Sequence, residues 1–114
     1  MSPSRSAALQ APTAAPLFAA LGDPTRLSLL KRLSAEGPLS ITRLSEGTGV
    51  TRQAITRHLL TLEEAGLVRD SKKGRERVFS LDRKRLEKAR QYLDQVALQW
   101  EAAANRLKAF VEQG

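Results

Sequence analysis

Leucines mark the first regular pattern in the chain. Leu27, Leu30 and Leu33 recur at helical spacing with Leu29 beside them, and Gly37-Pro38 stops the run. Ahead of it, "PLFAALGDP" predicts a short apolar helix over about 14–22 that ends at Gly22. Asp23-Pro24 then supplies a capping acid and a proline at the first helical position, where its missing N–H costs nothing. Three further starts share one device, a capping residue with an apolar residue just before it and another at the fourth helical position. They are Ser40 with Leu39 and Leu44, Thr51 with Val50 and Ile55, and Asp82 with Leu81 and Leu86. A short helix from Ser40 to about Glu46 is thus joined by a glycine-containing turn to a helix beginning at Thr51, the spacing of a helix-turn-helix. After Gly66, "LVRDSKKGRERVFSL" gives two β-prone runs around Lys73-Gly74, a hairpin with a basic tip. A final helix spans about 83–112. The fold class expected is mainly α with a small β-hairpin. Residues 1–13 read as a disordered tail, and 14–114 as one domain with terminal helices.

Composition sharpens this. A chain of 114 residues suits one domain with a thin core margin, which a second copy would widen. Cysteine is absent, so disulfides, thiolate metal sites and thiol redox sensing are excluded. No apolar run approaches the roughly 20 residues of a membrane span, and the N-terminus lacks a signal-peptide core. A soluble cytoplasmic protein with no membrane partner is expected. Nineteen Lys and Arg against twelve Asp and Glu leave a formal charge of +7, and residues 51–85 carry +5 of it. A concentrated basic region suits a polyanionic partner; a solubilising face is the plainer reading of composition alone.

The helix from Thr51 separates those readings. On a wheel at about 100° per residue, Ala54, Ile55, His58, Leu59 and Leu62 share an arc of about 140°. Gln53, Thr56, Arg57, Leu60 and Glu64 lie opposite, with Arg52 at the N-terminal rim. The apolar arc must pack on the domain, so the Gln/Thr/Arg arc faces out. Those are the residue types that read duplex DNA. Arg pairs two acceptors on guanine, Gln matches adenine, and Thr bonds a base or touches a thymine methyl. They sit in the N-terminal half, which in a recognition helix lies nearest the bases. Lys72, Lys73, Arg75 and Arg77 on the hairpin are placed to reach phosphates or the minor groove. A helix-turn-helix followed by a basic hairpin is a winged helix. A merely solvated, charge-paired face fits less well, because the outward arc is basic early and acidic only at Glu63 and Glu64.

The segments "LFAALGDPTRLSLLKRL", "SITRLSEGTGVTRQAITRHLLTLEEAGLV" and "KKGRERVFSLD" resemble the ArsR/SmtB family of bacterial winged-helix repressors over about Leu17 to Asp82. "GDPTR" and the Q-A-x-x-x-H-L pattern from Gln53 to Leu59 carry the likeness. The resemblance implies a homodimeric, autoregulatory repressor on a double-stranded operator near its own promoter. It places recognition at Thr51, Arg52, Gln53, Thr56 and Arg57 and the wing at Lys73, Arg75 and Arg77. Leu60 stands where many relatives carry a polar or basic residue.

Many relatives sense metals, one group through a Cys-x-Cys pair and another through His and Asp on the last helix. Here the first region reads "RLSEGTG", and the last helix has Asp94 and Glu101 but no His. A transition-metal site needs several converging ligands, so no metal is expected, and His58 reads as a half-buried core histidine. With no activated nucleophile, no phosphate loop and no evident carboxylate pair, neither catalytic residues nor cofactors are expected. A small-molecule effector entering between the first and last helices stays open. The rival function is a winged-helix module docking an acidic protein, against which stand the outward Gln53 and Thr56.

From Leu86 the apolar residues step by sevens in two offset rows, Leu86, Leu93, Trp100, Leu107 and Ala89, Val96, Ala103, Phe110. That is an a/d seam. It folds back on its own domain or pairs with a twin. The pairing expected here uses Leu93, Val96, Trp100, Ala103, Leu107 and Phe110, assisted by Leu17, Phe18 and Leu21 of the first helix.

Overall fold

Four of the helices begin in one way: a side-chain oxygen accepts a hydrogen bond from the backbone N–H three residues on. Asp23 accepts from Arg26 at 3.0 Å, Ser40 from Arg43 at 3.1 Å, Thr51 from Ala54 at 3.1 Å, and Asp82 from Arg85 at 3.1 Å. The computed structural model describes residues 9–113. The order is α1 (Ala11–Leu21), α2 (Pro24–Glu36), β1 (Leu39–Ser40), α3 (Ile41–Ser45), α4 (Arg52–Glu64), β2 (Val68–Lys73), β3 (Glu76–Leu81) and α5 (Arg83–Gln113). This is a winged helix-turn-helix in which α3 and α4 form the helix pair, β2 and β3 the wing, and α5 the long last helix.

The chain differs from its sequence pattern in four places. Residues 1–8 of the expected tail lie outside the described residues, but Leu9 is buried and α1 already runs at Ala11, three residues earlier than expected. The apolar side chain at Leu9 packs on the common core, and Pro12 sits in the first turn, where a proline is tolerated. Gly22 ends α1 with φ at −85°, so no left-handed residue is used. The break comes from Asp23, held extended (φ −139°, ψ 131°) ahead of Pro24. Leu27 is 50% exposed, because it sits about 110° from the centre of the face that Leu29, Leu30 and Leu33 bury. Finally, Leu39 and Ser40 form a third strand. The sheet order is β1-β3-β2, all antiparallel, with Leu39 opposite Phe79 and Ser40 opposite Val78. Two residues are too few for a period-two pattern to reveal.

The wing is a two-residue hairpin in which Lys73 faces Glu76 across Gly74-Arg75. Gly74 takes φ +67° at the first loop position, as such a turn requires. Beneath it, Phe79, Leu67 and Val68 join Leu44, Ile55, Leu59 and Leu62 in one core, to which Leu17 of α1 and Leu29 of α2 also belong. Phe18 of α1 meets Tyr92 of α5 with ring centroids 5.6 Å apart. Beyond Ala89 no residue of α5 is fully buried in its own protomer, and Tyr92 and Val96 are half-buried.

The end of α4 sets the angle at which the wing leaves. Leu67 N–H donates to the Leu62 carbonyl and Gly66 N–H to that of Glu63, both at 2.9 Å, and Leu62 and Leu67 are both buried. That is a Schellman cap, with Gly66 at φ +80°. A Cβ on Gly66 would lie 2.8 Å from Nε of Arg85. Gly66→Ala is therefore expected to cost about 1–2 kcal/mol from the left-handed backbone alone, read as a lower urea midpoint at unchanged slope.

Candidate nucleic-acid interface

Ile55, Leu59 and Leu62 anchor the inner face of α4. Opposite them, Gln53 and Arg57 are exposed, and the side chain of neither makes a hydrogen bond with another described residue of the protomer. The remaining residues expected at the recognition face have tasks inside the fold. Thr51 caps α4. The Thr56 hydroxyl donates to the Arg52 carbonyl at 2.9 Å. The Arg52 guanidinium donates to Oγ1 of Thr42 on α3 at 3.0 Å. Thr51 and Thr56 keep oxygen lone pairs for a donor, and Arg52 keeps unused N–H groups pointing into a cleft.

That cleft, about 240 Å³, lies between the helix pair and the wing and is lined by Ser40, Thr42, Arg52, Arg75, Glu76 and Arg77 among others. It brings the rim of α4, the start of α3 and the tip of the wing to one place. Ser40 and Thr42 were not among the residues expected to act. The capping pattern identified Ser40 as a helix start, but only the tertiary approach of the wing places α3 beside Arg75.

The wing residues divide. Lys72, Lys73 and Arg75 are exposed. Arg77 is occupied: its Nε donates to Asp70 Oδ2 at 3.0 Å, an Nη group bonds the same oxygen, and its guanidinium lies 5.3 Å from the centre of the Phe79 ring. Arg77, expected among the DNA-contacting wing residues, is thus engaged within the protomer. A guanidinium neutralised by a carboxylate and laid on an aromatic face holds the hairpin together.

Behind the outward face of α4, His58 is half-buried, and its Nδ1 lies 3.1 Å from Nη1 of Arg26. A guanidinium only donates, so Nδ1 is the acceptor. The same Arg26 donates from Nε to the Ala20 carbonyl at 2.6 Å. Asp23 Oδ2 stands 3.9 Å from Nδ1 of His58. Arg26, absent from the expected site, joins α1, α2 and α4; its signal was the "GDPTR" stretch.

The residues expected to pair two copies also divide. Trp100 is 73% exposed and Phe110 74%; Leu93, Ala103 and Leu107 are exposed as well, and Val96 is half-buried. Leu17, at 1% exposure, is a core residue of its own protomer and has no area left to give a partner, which corrects that expectation. Phe18 and Leu21 are half-buried against the same core. A small polar cleft of about 290 Å³ lies between the start of α1 and α5 at Gln10, Tyr92 and Gln99. Among the described residues, no three His, Asp or Glu side chains converge as a metal requires, and no helix is long and apolar enough to cross a membrane.

Known proteins resemble this chain in sequence and fold. A helix-turn-helix domain family matches residues 21–70. YuzN, an uncharacterized HTH-type transcriptional regulator of Bacillus subtilis (strain 168), is 42% identical over 69 residues, 55% of this chain and 75% of that protein. The HTH-type transcriptional regulator Rv2034 of Mycobacterium tuberculosis is 43% identical over 63 residues, 55% of this chain and 58% of that protein. Among solved structures, an ArsR-like transcriptional regulator from Rhodococcus sp. RHA1 superposes with a TM-score of 0.76 at 32% identity, over 87% of this chain and 92% of that one.

The carboxylate of Asp23 is held below its usual range, chiefly by the Arg26 N–H, against an opposing effect of burial and with help from the Arg26 charge. Asp82 is lowered too: burial pushes it up, but the Arg85 N–H and the Arg69 side chain together outweigh that. A carboxyl depressed on folding stabilises fully above its unfolded pKa, and that contribution is lost as pH falls through the folded value. Stability is expected to decline below about pH 4. Asp23→Asn, which keeps the cap but loses the charge, should flatten part of that decline in urea midpoints taken from pH 7 to pH 2.5.

Proposed function

The chain belongs to the ArsR family of winged helix-turn-helix DNA-binding transcriptional regulators, and from that premise we propose that it is a homodimeric, autoregulatory repressor of an inverted-repeat operator. The observation that carries the reading is the pair Gln53 and Arg57, outward on the first two turns of α4 and uncommitted within the fold. Gln and Arg match adenine and guanine edges in the major groove. Thr51, Arg52 and Thr56 surround them and take backbone or secondary contacts with the oxygens and N–H groups left over from their bonds in the protomer. On the wing, Lys72, Lys73 and Arg75 hold phosphates, and the cleft beside Arg52 admits the strand that passes between helix and wing.

The partner copy follows from α5. Leu93, Trp100, Leu107 and Phe110 line one stripe of a helix and are largely exposed in the single chain. An apolar stripe that long is covered in a stable soluble protein, and an a/d repeat covers itself. Val96 and Ala103 complete the stripe, and half-buried Phe18 and Leu21 border it from α1. One solved winged helix-turn-helix of the same fold, from Mycobacterium bovis, is described as homodimeric; at 22% identity and a TM-score of 0.62 it speaks for the fold alone. Twofold symmetry then presents two recognition helices to half-sites about 34 Å apart, one DNA turn.

Gln53→Ala or Arg57→Ala should cost roughly 1–3 kcal/mol on the operator and little on scrambled duplex. Lys73→Ala or Arg75→Ala should weaken both duplexes alike and lower the salt slope by about one unit per phosphate contact. Titrations of both duplexes over a salt series decide it, and equal losses on both duplexes from the helix variants would sink the base-reading assignment. For the dimer, sedimentation at micromolar concentration should give twice the 12.5 kDa chain mass, and Trp100→Glu should shift it towards one chain. A wild-type protein that remains a monomer would overturn the pairing.

A further inference from the structure

Leu60 is the outward leucine of the recognition helix. On α4, Leu59 and Leu62 are wholly buried, whereas Leu60 keeps 40% of its surface in solvent. Seven residues separate it from Gln53, which places it within about 20° of Gln53 around the helix and about 10.5 Å further along it. Thr56 and Arg57 lie to either side of that line, one turn before, and exposed Glu64 follows one turn later. Single exposed leucines are common on protein surfaces. This one is set apart by its position in the middle of the arc that carries the base-reading side chains.

We propose that Leu60 is a specificity-determining residue that packs against a thymine methyl in the major groove. The inference rests on the DNA-reading role of α4 argued above. A leucine can neither donate nor accept, so it draws nothing from phosphates, water or the polar edges of bases. The one apolar group on the floor of the major groove is the C5-methyl of thymine. Its neighbours on the outward arc, Gln53, Thr56, Arg57 and Glu64, are polar, so Leu60 forms no apolar patch of the size a protein partner needs. Contact there gives the dimer a preference for thymine in each half-site beside the bases that Gln53 and Arg57 reach, about two helical turns along α4 from Gln53 and about one from Arg57.

Deoxyuridine differs from thymidine at that position only by the missing methyl. A duplex is selected from a randomised library by the wild-type protein, and each thymine is replaced in turn by deoxyuridine. Wild type should lose about fourfold in affinity at one thymine of each half-site, the worth of one buried methyl group. Leu60→Ala should melt like wild type and still prefer the selected duplex to a scrambled one, but it should be indifferent to that replacement. If no thymine matters to wild type while selected and scrambled duplexes remain distinguished, this assignment is wrong and the DNA-reading function stands. If the same thymine matters equally to Leu60→Ala, another side chain touches the methyl and the assignment is again wrong. If wild type does not distinguish the two duplexes at all, the reading function itself fails and Leu60 falls with it.

Discussion

One guanidinium ties α4 to the rest of the protein. The apolar contacts beneath α4, through Ile55, Leu59 and Leu62, hold it down but have little directional preference. Arg26 supplies the direction. Its planar fork bonds the Ala20 carbonyl at the end of α1 and Nδ1 of His58 on α4, while its backbone N–H is held by Asp23 at the start of α2. A lysine could place a charge there but could not meet acceptors on separate elements in one plane. The half-buried histidine is thus a structural fixture, and the rotation of α4 about its own axis is referred to α1.

The same economy governs which polar groups remain for a partner. Capping, back-bonding and ion pairing engage part of what Thr51, Thr56 and Arg77 offer. They leave Gln53 and Arg57 on the helix and Lys72, Lys73 and Arg75 on the wing. A positive charge in the sequence is therefore a weaker guide than a positive charge without a carboxylate beside it. Arg77 and Arg75 are two residues apart on a hairpin and differ entirely in this respect, because Asp70 sits within reach of one and not the other.

Much of the fold was legible in the sequence because its signals are local. Asp23, Ser40, Thr51 and Asp82 are helix caps whose bonds span three residues, and a period of 3.6 marks the buried side of α4. What the pattern missed depends on distant contacts. The strand at Leu39-Ser40 exists only because β3 pairs with it. The burial of Leu17 depends on α1 lying across the core, and a helical wheel cannot tell a core face from a partner face. For the candidate site, the types and outward positions of Gln53 and Arg57 were readable from spacing. The occupation of Arg77, the part played by Arg26 and the nearness of Thr42 to Arg52 all require knowing which elements meet.

The chain has a single tryptophan, and it stands on the open stripe of α5, away from the buried core. In most small proteins the indole is interior, and its emission reports whether the fold is intact. Here the optical logic is reversed. An isolated protomer places its indole in water whether its core is folded or melted, so its emission is red in both states and nearly blind to unfolding. Only an apolar surface laid against α5 moves that emission to the blue. Trp100 is a built-in spectroscopic label for association, while Tyr92, packed on Phe18, reports from inside the protomer.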